Sequence, residues 1–275
     1  MTTKSPNPLA SFMRQPKIYI RLPSNGYYWP EGSLTVSENG EYPVYSMTAK
    51  DELMLKVPDA IMSGQAVVDV IQNCIPNIKN AWHIPSLDMD AILIALRLAT
   101  YGEKMATPVN LGDELDLDYE VDLRIVLDNL INSVSWSEVV PINEDLTVYV
   151  QPLNYKQLSQ AALKSFETQK LMGIIGDETV SEDKKLVAFK ESFSRLTEIT
   201  IGMTQESVYK VDSSMGSTEN PEHIKEFIAN ADKEVFNKIQ QHLDKLKDQN
   251  QIKPIIINTP EHIKERGYFK RNCAS

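Results

Sequence analysis

The sequence predicts an α+β fold: a small antiparallel sheet with packed helices, followed by a mostly helical region arranged as a hairpin or three-helix bundle. Three observations lead there. Period-two alternation and glycine-bearing turns fill residues 17–47, helix starts and stops crowd residues 48–102, and beyond Pro152 apolar residues recur at spacings of three and four. A chain of 275 residues can bury one sizeable core and a second, smaller one. Composition divides it into an extended arm at 1–16, an α+β domain at 17–152, a helical region at 153–250 and an extended tail at 251–275.

In order along the chain, residues 1–16 carry three prolines among Ser, Thr and Asn, which predicts an arm with little structure of its own. Lys17 to Leu22 alternates as a half-buried strand, and Pro23-Ser24-Asn25-Gly26 is a turn. Leu34-Thr35-Val36 and the run from Tyr42 to Met47 flank Asn39-Gly40, a hairpin signal. Thr48 can cap a helix with Asp51 and Glu52 in its first turn. Pro58 opens a second helix whose Ile61, Gly64, Val67 or Val68, Ile71 and Ile75 keep helical spacing until Pro76. Ser86 can cap a third, apolar nearly all round from Ala91 to Ala99, which predicts the central buried helix. Gly102 ends it. Lys104–Val109 and Leu115–Val121 can pair as strands, a helix follows from Leu123 to about Val134, and Leu146–Val150 reads as another strand.

Beyond Pro152, Tyr155–Ile175 is a polar helix with a narrow apolar face. Ser181 to about Lys210 places Leu186, Phe189, Phe193, Leu196, Thr200 and Met203 along a coiled-coil-like seam. Asp212–Asn220 has the composition of a linker. Pro221–Lys247 repeats the pattern with Ile224, Ile228, Ala231, Val235, Ile239, His242 and Leu246. Both seams are narrow, so part of their burial is expected from another chain.

Composition restricts the function classes. A net charge of -10 without an obvious basic stripe argues against free-standing nucleic-acid binding. Two cysteines in unlike contexts, Cys74 and Cys273, make neither a disulfide framework nor a structural zinc site. The N-terminus has no signal-peptide core and no run of 18 apolar residues occurs, so the expectation is a reducing cytoplasm and no membrane span.

Signals for chemistry are weak. The acidic run Asp113–Asp122 lacks calcium-loop spacing and is explained by strand alternation. The four histidines are scattered, with His242 on a seam where packing accounts for it. No GxSxG motif occurs, and Gly173 and Gly176 lack the Lys and Ser/Thr of a phosphate loop. Arg97, the one charge on the apolar helix, needs a partner: an internal carboxylate such as Asp51 or Asp59, or a group across a subunit interface. Were the chain an enzyme, His83, Arg97 and the acidic strand would be its raw material. The expectation is no catalysis, no cofactor and no metal, with binding or assembly instead.

Several ordered blocks carry a resemblance: Leu22–Gly26, Tyr42–Glu52, Pro58-Asp59-Ala60, Gly64, Cys74-Ile75-Pro76, Asp90–Leu93, Ala99–Gly102 and Tyr119–Leu123. Together, over roughly residues 18–135, they resemble the T-even-type bacteriophage base plate family, whose named members are baseplate hub subunits or hub assembly proteins. The resemblance implies a structural or chaperone-like role in building the central hub of a contractile tail's baseplate, in the host cytoplasm during assembly or in the virion. Its implied partners are other hub or tail proteins. Some relatives carry a CxxC-like pair before the last block. Ala106–Asp113 holds no cysteine here, so a metal-stabilised hairpin does not carry over. For partner contacts the candidates are Arg97, the seam residues Leu186, Phe189 and Phe193, and the tail residues Ile255, Ile256 and Ile257, which can add a strand to a partner. The rival expectation is a permanent virion component forming a symmetric oligomer.

Overall fold

The computed structural model describes residues 13–110, 116–175 and 179–253, which fold as α+β around two apolar cores. In the first core, strand β1 (Pro16–Ile20) pairs antiparallel with β2 (Tyr42–Tyr45), turning Ile20, Tyr42 and Val44 inward. The Asn39-Gly40 turn is present, with a Gly40 N–H to Ser37 C=O bond of 3.1 Å. Leu34, however, bridges to Ile78 instead of forming a hairpin with β2. The long excursion between β1 and β2 is thereby pinned against the segment that follows Cys74.

Helix α1 (Ala49–Met54) starts as its sequence predicts. The Thr48 hydroxyl accepts from the Asp51 N–H at 3.3 Å, and the Asp51 carboxylate accepts from the Thr48 N–H at 2.8 Å, a reciprocal capping box. The helix expected from Pro58 to Pro76 is two: α2 (Pro58–Met62) and α3 (Gln65–Cys74), broken at Gly64. Gly64 has φ +77°, and a Cβ there would meet Trp82 at 3.1 Å and the Tyr155 hydroxyl at 3.2 Å. Both the backbone sign and the space select glycine.

Helix α4 (Ser86–Tyr101) is the centre of the first core, with Ala91, Ile92, Ala95 and Leu96 buried against α3, β1, β2 and α5 (Leu123–Ser133). Ser86 does not cap it. Its N–H donates to Leu153 C=O at 2.8 Å, so Ser86 is the first helical residue and Pro85 precedes it. Strands β3 (Lys104–Asn110) and β4 (Asp116–Asp122) form a separate two-stranded ladder in which Lys104 and Glu120 pair at 2.7 Å.

The second core is a four-stranded antiparallel sheet ordered β5 (Val139–Asn143), β6 (Leu146–Val150), β7 (Val208–Ser213) and β8 (Gly216–Thr218). Between β6 and β7 the chain makes an antiparallel helix pair, α6 (Tyr155–Ile175) and α7 (Glu182–Ser207). The stretch expected as a linker at 212–220 is therefore the β7–β8 turn. The sheet also crosses Pro152, where composition had suggested a boundary, because β6 hydrogen-bonds to β7 along its length. The pattern from Pro221 to Lys247 is split into α8 (Pro221–Asn230) and α9 (Lys233–Asn250), with Asp232 capping the second. Their apolar faces, Ile224, Ile228, Ile239 and Leu246, pack on Val140, Val148, Val150 and Val211 of the sheet, and α8 also meets the C-terminal part of α7, whose Ile201 packs against the same core. An alternating sheet with one apolar face has to be covered, and these helices cover it.

Candidate functional site

Helix α7 carries two interleaved stripes at helical spacing. One, formed by Ala188 and Ser192 with Lys185 half-buried beside them, faces α6, whose Thr168 is likewise buried. The other holds Leu186, Phe189, Phe193 and Leu196, which are 54%, 57%, 67% and 36% exposed. The structure thus brings the predicted Leu186, Phe189 and Phe193 together on one side of one helix, as expected from their spacing. It turns them to the surface instead of into a seam.

The physical reason lies in side-chain size. Ala188 and Ser192 let the two helix backbones approach closely, while Phe189 and Phe193 would hold them apart. The small stripe therefore wins the seam even though the large one has more area to bury. On α6, Leu163 and Phe166 are also exposed, with the Lys170 ammonium 4.7 Å from the Phe166 ring. Toward its C-terminal end, α7 is fixed by Thr204, which accepts from Gln240 of α9, and by the bond from Gln151 N–H to Ser207 C=O at 2.8 Å.

Past Leu196 the exposed stripe runs into a groove of about 480 Å³, lined by Thr200, Ile201, Ile228, Ala231 and Phe236 where α7, α8 and the start of α9 meet. Two ion pairs form within α7, Lys185 with Glu182 at 3.0 Å and Arg195 with Glu191 at 2.6 Å, and between Leu186 and Leu196 the stripe itself carries no charged residue. What remains is an apolar surface with little fixed charge on it. Exposed patches of this kind mark contact sites on soluble proteins.

Arg97 lies elsewhere, on α4. Its guanidinium sits 5.3 Å from the Tyr101 ring, and its Nε is buried without a hydrogen-bond partner among the described residues. Of the internal carboxylates expected for it, Asp51 or Asp59, Asp51 is otherwise engaged and pairs with Arg14 at 3.5 Å. Arg14 also donates to Ser46 C=O at 3.0 Å and to Asn73 C=O at 2.5 Å, so the end of the predicted arm is tied down. The tail candidates Ile255, Ile256 and Ile257 fall outside the described residues.

Two carboxyl sites, one buried and one half-buried, organise the molecule, and sequence reasoning passed over both. Asp88, fully buried at the start of α4, accepts from Ser24 N–H at 2.7 Å, Ser24 Oγ at 2.6 Å and Trp29 Nε1 at 2.8 Å. Burial pushes its carboxyl up to about 6 against the pull of those three donors. Glu138 joins the two cores, accepting from the Tyr28 hydroxyl at 2.7 Å and the Tyr209 hydroxyl at 3.0 Å. Burial and then the Glu138 carboxylate push Tyr209 up to about 12. Tyr28 is held at φ +67°, an uncommon value outside glycine, with its ring edge-on to Trp136. The available signal was positional: an acid in the first turn of an apolar helix, and a lone Glu between Trp136 and a β-strand.

The histidines are dispersed. His83 bonds to Ser33 Oγ at 2.7 Å, and His242 bonds to Ser137 C=O at 2.8 Å instead of packing in a seam. Among the described residues no three His, Cys, Asp or Glu side chains gather as metal ligands, and no helix is long and apolar enough to cross a membrane.

Comparison with known proteins places this architecture. No curated protein and no solved structure matches the chain. The family described as T4 bacteriophage base plate protein matches residues 30–256, a span that takes in most of the first core, the second core and the α6–α7 pair, and reaches well past Leu123, where the blocks that carried the resemblance end. The chain belongs to the T4 bacteriophage base plate protein family, and is a phage baseplate protein whose partners are other baseplate proteins.

Proposed function

We propose that the protein acts in building the central hub of the baseplate, as a hub subunit or hub assembly protein, through protein–protein contacts and without catalysis. The observation that carries this is the exposed apolar stripe of α7 and the groove that continues it. Leu, Phe and Ile side chains supply area to bury, with Thr197, Thr200 and Lys233 as the polar groups at the groove. A surface of that makeup serves association.

Quantitative mass spectrometry of mature particles and of assembly intermediates tests the role. A hub subunit is recovered from both in fixed stoichiometry. An assembly protein is recovered from intermediates and lost from particles. Absence from both, in an infection that produces normal tails, removes the proposal.

A further inference from the structure

We propose that the α7 stripe is a two-fold contact between two copies of this chain, paired antiparallel. The inference rests on reading that stripe as an assembly surface, and it names the occupant. The order of side chains is Leu186, Phe189, Phe193, Leu196, with spacings of three, four and three. It therefore reads the same in both directions. A two-fold that sets Phe189 against Phe193 of the second copy also sets Leu186 against that copy's Leu196, so every large side chain meets a large one. Such an order makes the surface self-complementary under a two-fold, as an isologous contact needs.

Area and charge agree with a second copy. The four side chains of the stripe leave on the order of 400 Å² of largely apolar surface open on one side of the helix, more than a scattering of single residues gives. Two copies would bury on the order of 800 Å², the size of a weak, reversible contact. The net charge of -10 sits mostly outside the α6–α7 pair, so this face brings the least like charge together. Residual long-range repulsion between two acidic chains makes the association tighten with salt.

Sedimentation velocity of the full chain tests it, over concentrations up to about 100 µM, the range in which weak contacts are populated. The wild type shifts from monomer to dimer, more so at high salt. Phe193→Glu and Phe189→Lys each remain monomeric with unchanged thermal melts, because both side chains are already in solvent. An equimolar mixture of the two variants regains a heterodimer, since one contact becomes Glu against Lys and the other stays Phe against Phe. A monomeric wild type, a dimer indifferent to Phe193→Glu, or a mixture that stays monomeric overturns the proposal. None of these results touches the hub role, which particle and intermediate composition decides.

Discussion

Helix α4 and helix α7 are both studded with large apolar side chains, and they direct them oppositely. On α4 the residues Ile92, Ala95 and Leu96 are packed from several sides by α3, α5 and the β1–β2 pair. On α7 the residues Phe189 and Phe193 face solvent while Ala188 and Ser192 take the seam. The difference is the number of neighbours. A helix surrounded by other elements has room in its contacts for large side chains. One of two helices packed mainly on each other buries a single narrow face, and close approach of the backbones favours small residues there. Apolar periodicity means core in the first setting and docking surface in the second.

The sharpest way to break this comparison is to delete the same kind of group in both places. Ile92→Ala is expected to cost roughly 2–5 kcal/mol in urea unfolding, the transfer loss plus a cavity in a fully enclosed site. Phe193→Ala should shift the same midpoint by less than about 0.5 kcal/mol, as an exposed substitution does. Equal losses would show that α7 contributes to a core in solution.

Between those extremes stands Asp88. Asp88→Asn keeps one acceptor but turns an NH₂ toward the Ser24 and Trp29 donors, at a cost of about 1–3 kcal/mol. Its pH dependence has a definite sign. The folded-state value of about 6 lies above the ordinary 3.8, so the folded chain holds this proton more tightly than the unfolded chain. Stability from this group is fully present below about pH 4 and is lost as pH rises through 6. The wild-type stability profile should slope downward across that window, and the Asn variant should be flatter there.

Asp51 works in the other direction. Burial raises its carboxyl, but the Thr48 and Asn73 hydrogen bonds and the Arg14 charge outweigh that and hold it below the ordinary value. Its contribution is present at neutral pH and disappears as the solution is acidified through the carboxylate range. Chemical denaturation of Asp51→Asn, followed from pH 7 down to pH 2, should show a smaller acid loss than the wild type.

A smaller effect tests the break between α2 and α3. Gly64→Ala forces an L side chain to φ +77° against Trp82, and about 1–2 kcal/mol is expected from the backbone conformation and contact together. If the variant is as stable as the wild type, the stacking of Trp82 on Tyr155 at 5.6 Å does not depend on this close approach.

Much of the fold was legible because it follows from local rules. The Thr48 capping box, the apolar run of α4, the β3–β4 ladder and the separate helices α6 and α7 each announce themselves in a window of a few residues. Other features were hidden because they depend on residues far apart in the chain. The pairing of β6 with β7 joins segments nearly sixty residues apart, and no local pattern distinguishes Val208–Ser213 from the end of a helix followed by a linker. The Asp88 site joins a turn near residue 24 to a helix near residue 88. Arg14 reached Asp51 in place of Arg97, since an arm has to be folded back before its charge can pair with anything.

The sequence by itself determined that large apolar residues at 186, 189, 193 and 196 share one side of a helix, because spacing fixes side-chain direction about a helix axis. It also determined the family resemblance and the identity of the central helix. Only the tertiary structure decided which side of α7 would be inside. Two stripes on one helix are equally periodic, and the choice between them rests on how closely a second helix can approach and on whether the sheet already has its cover. Here α8 and α9 cover the sheet and the small residues take the seam. That leaves Leu186, Phe189, Phe193 and Leu196 on the outside.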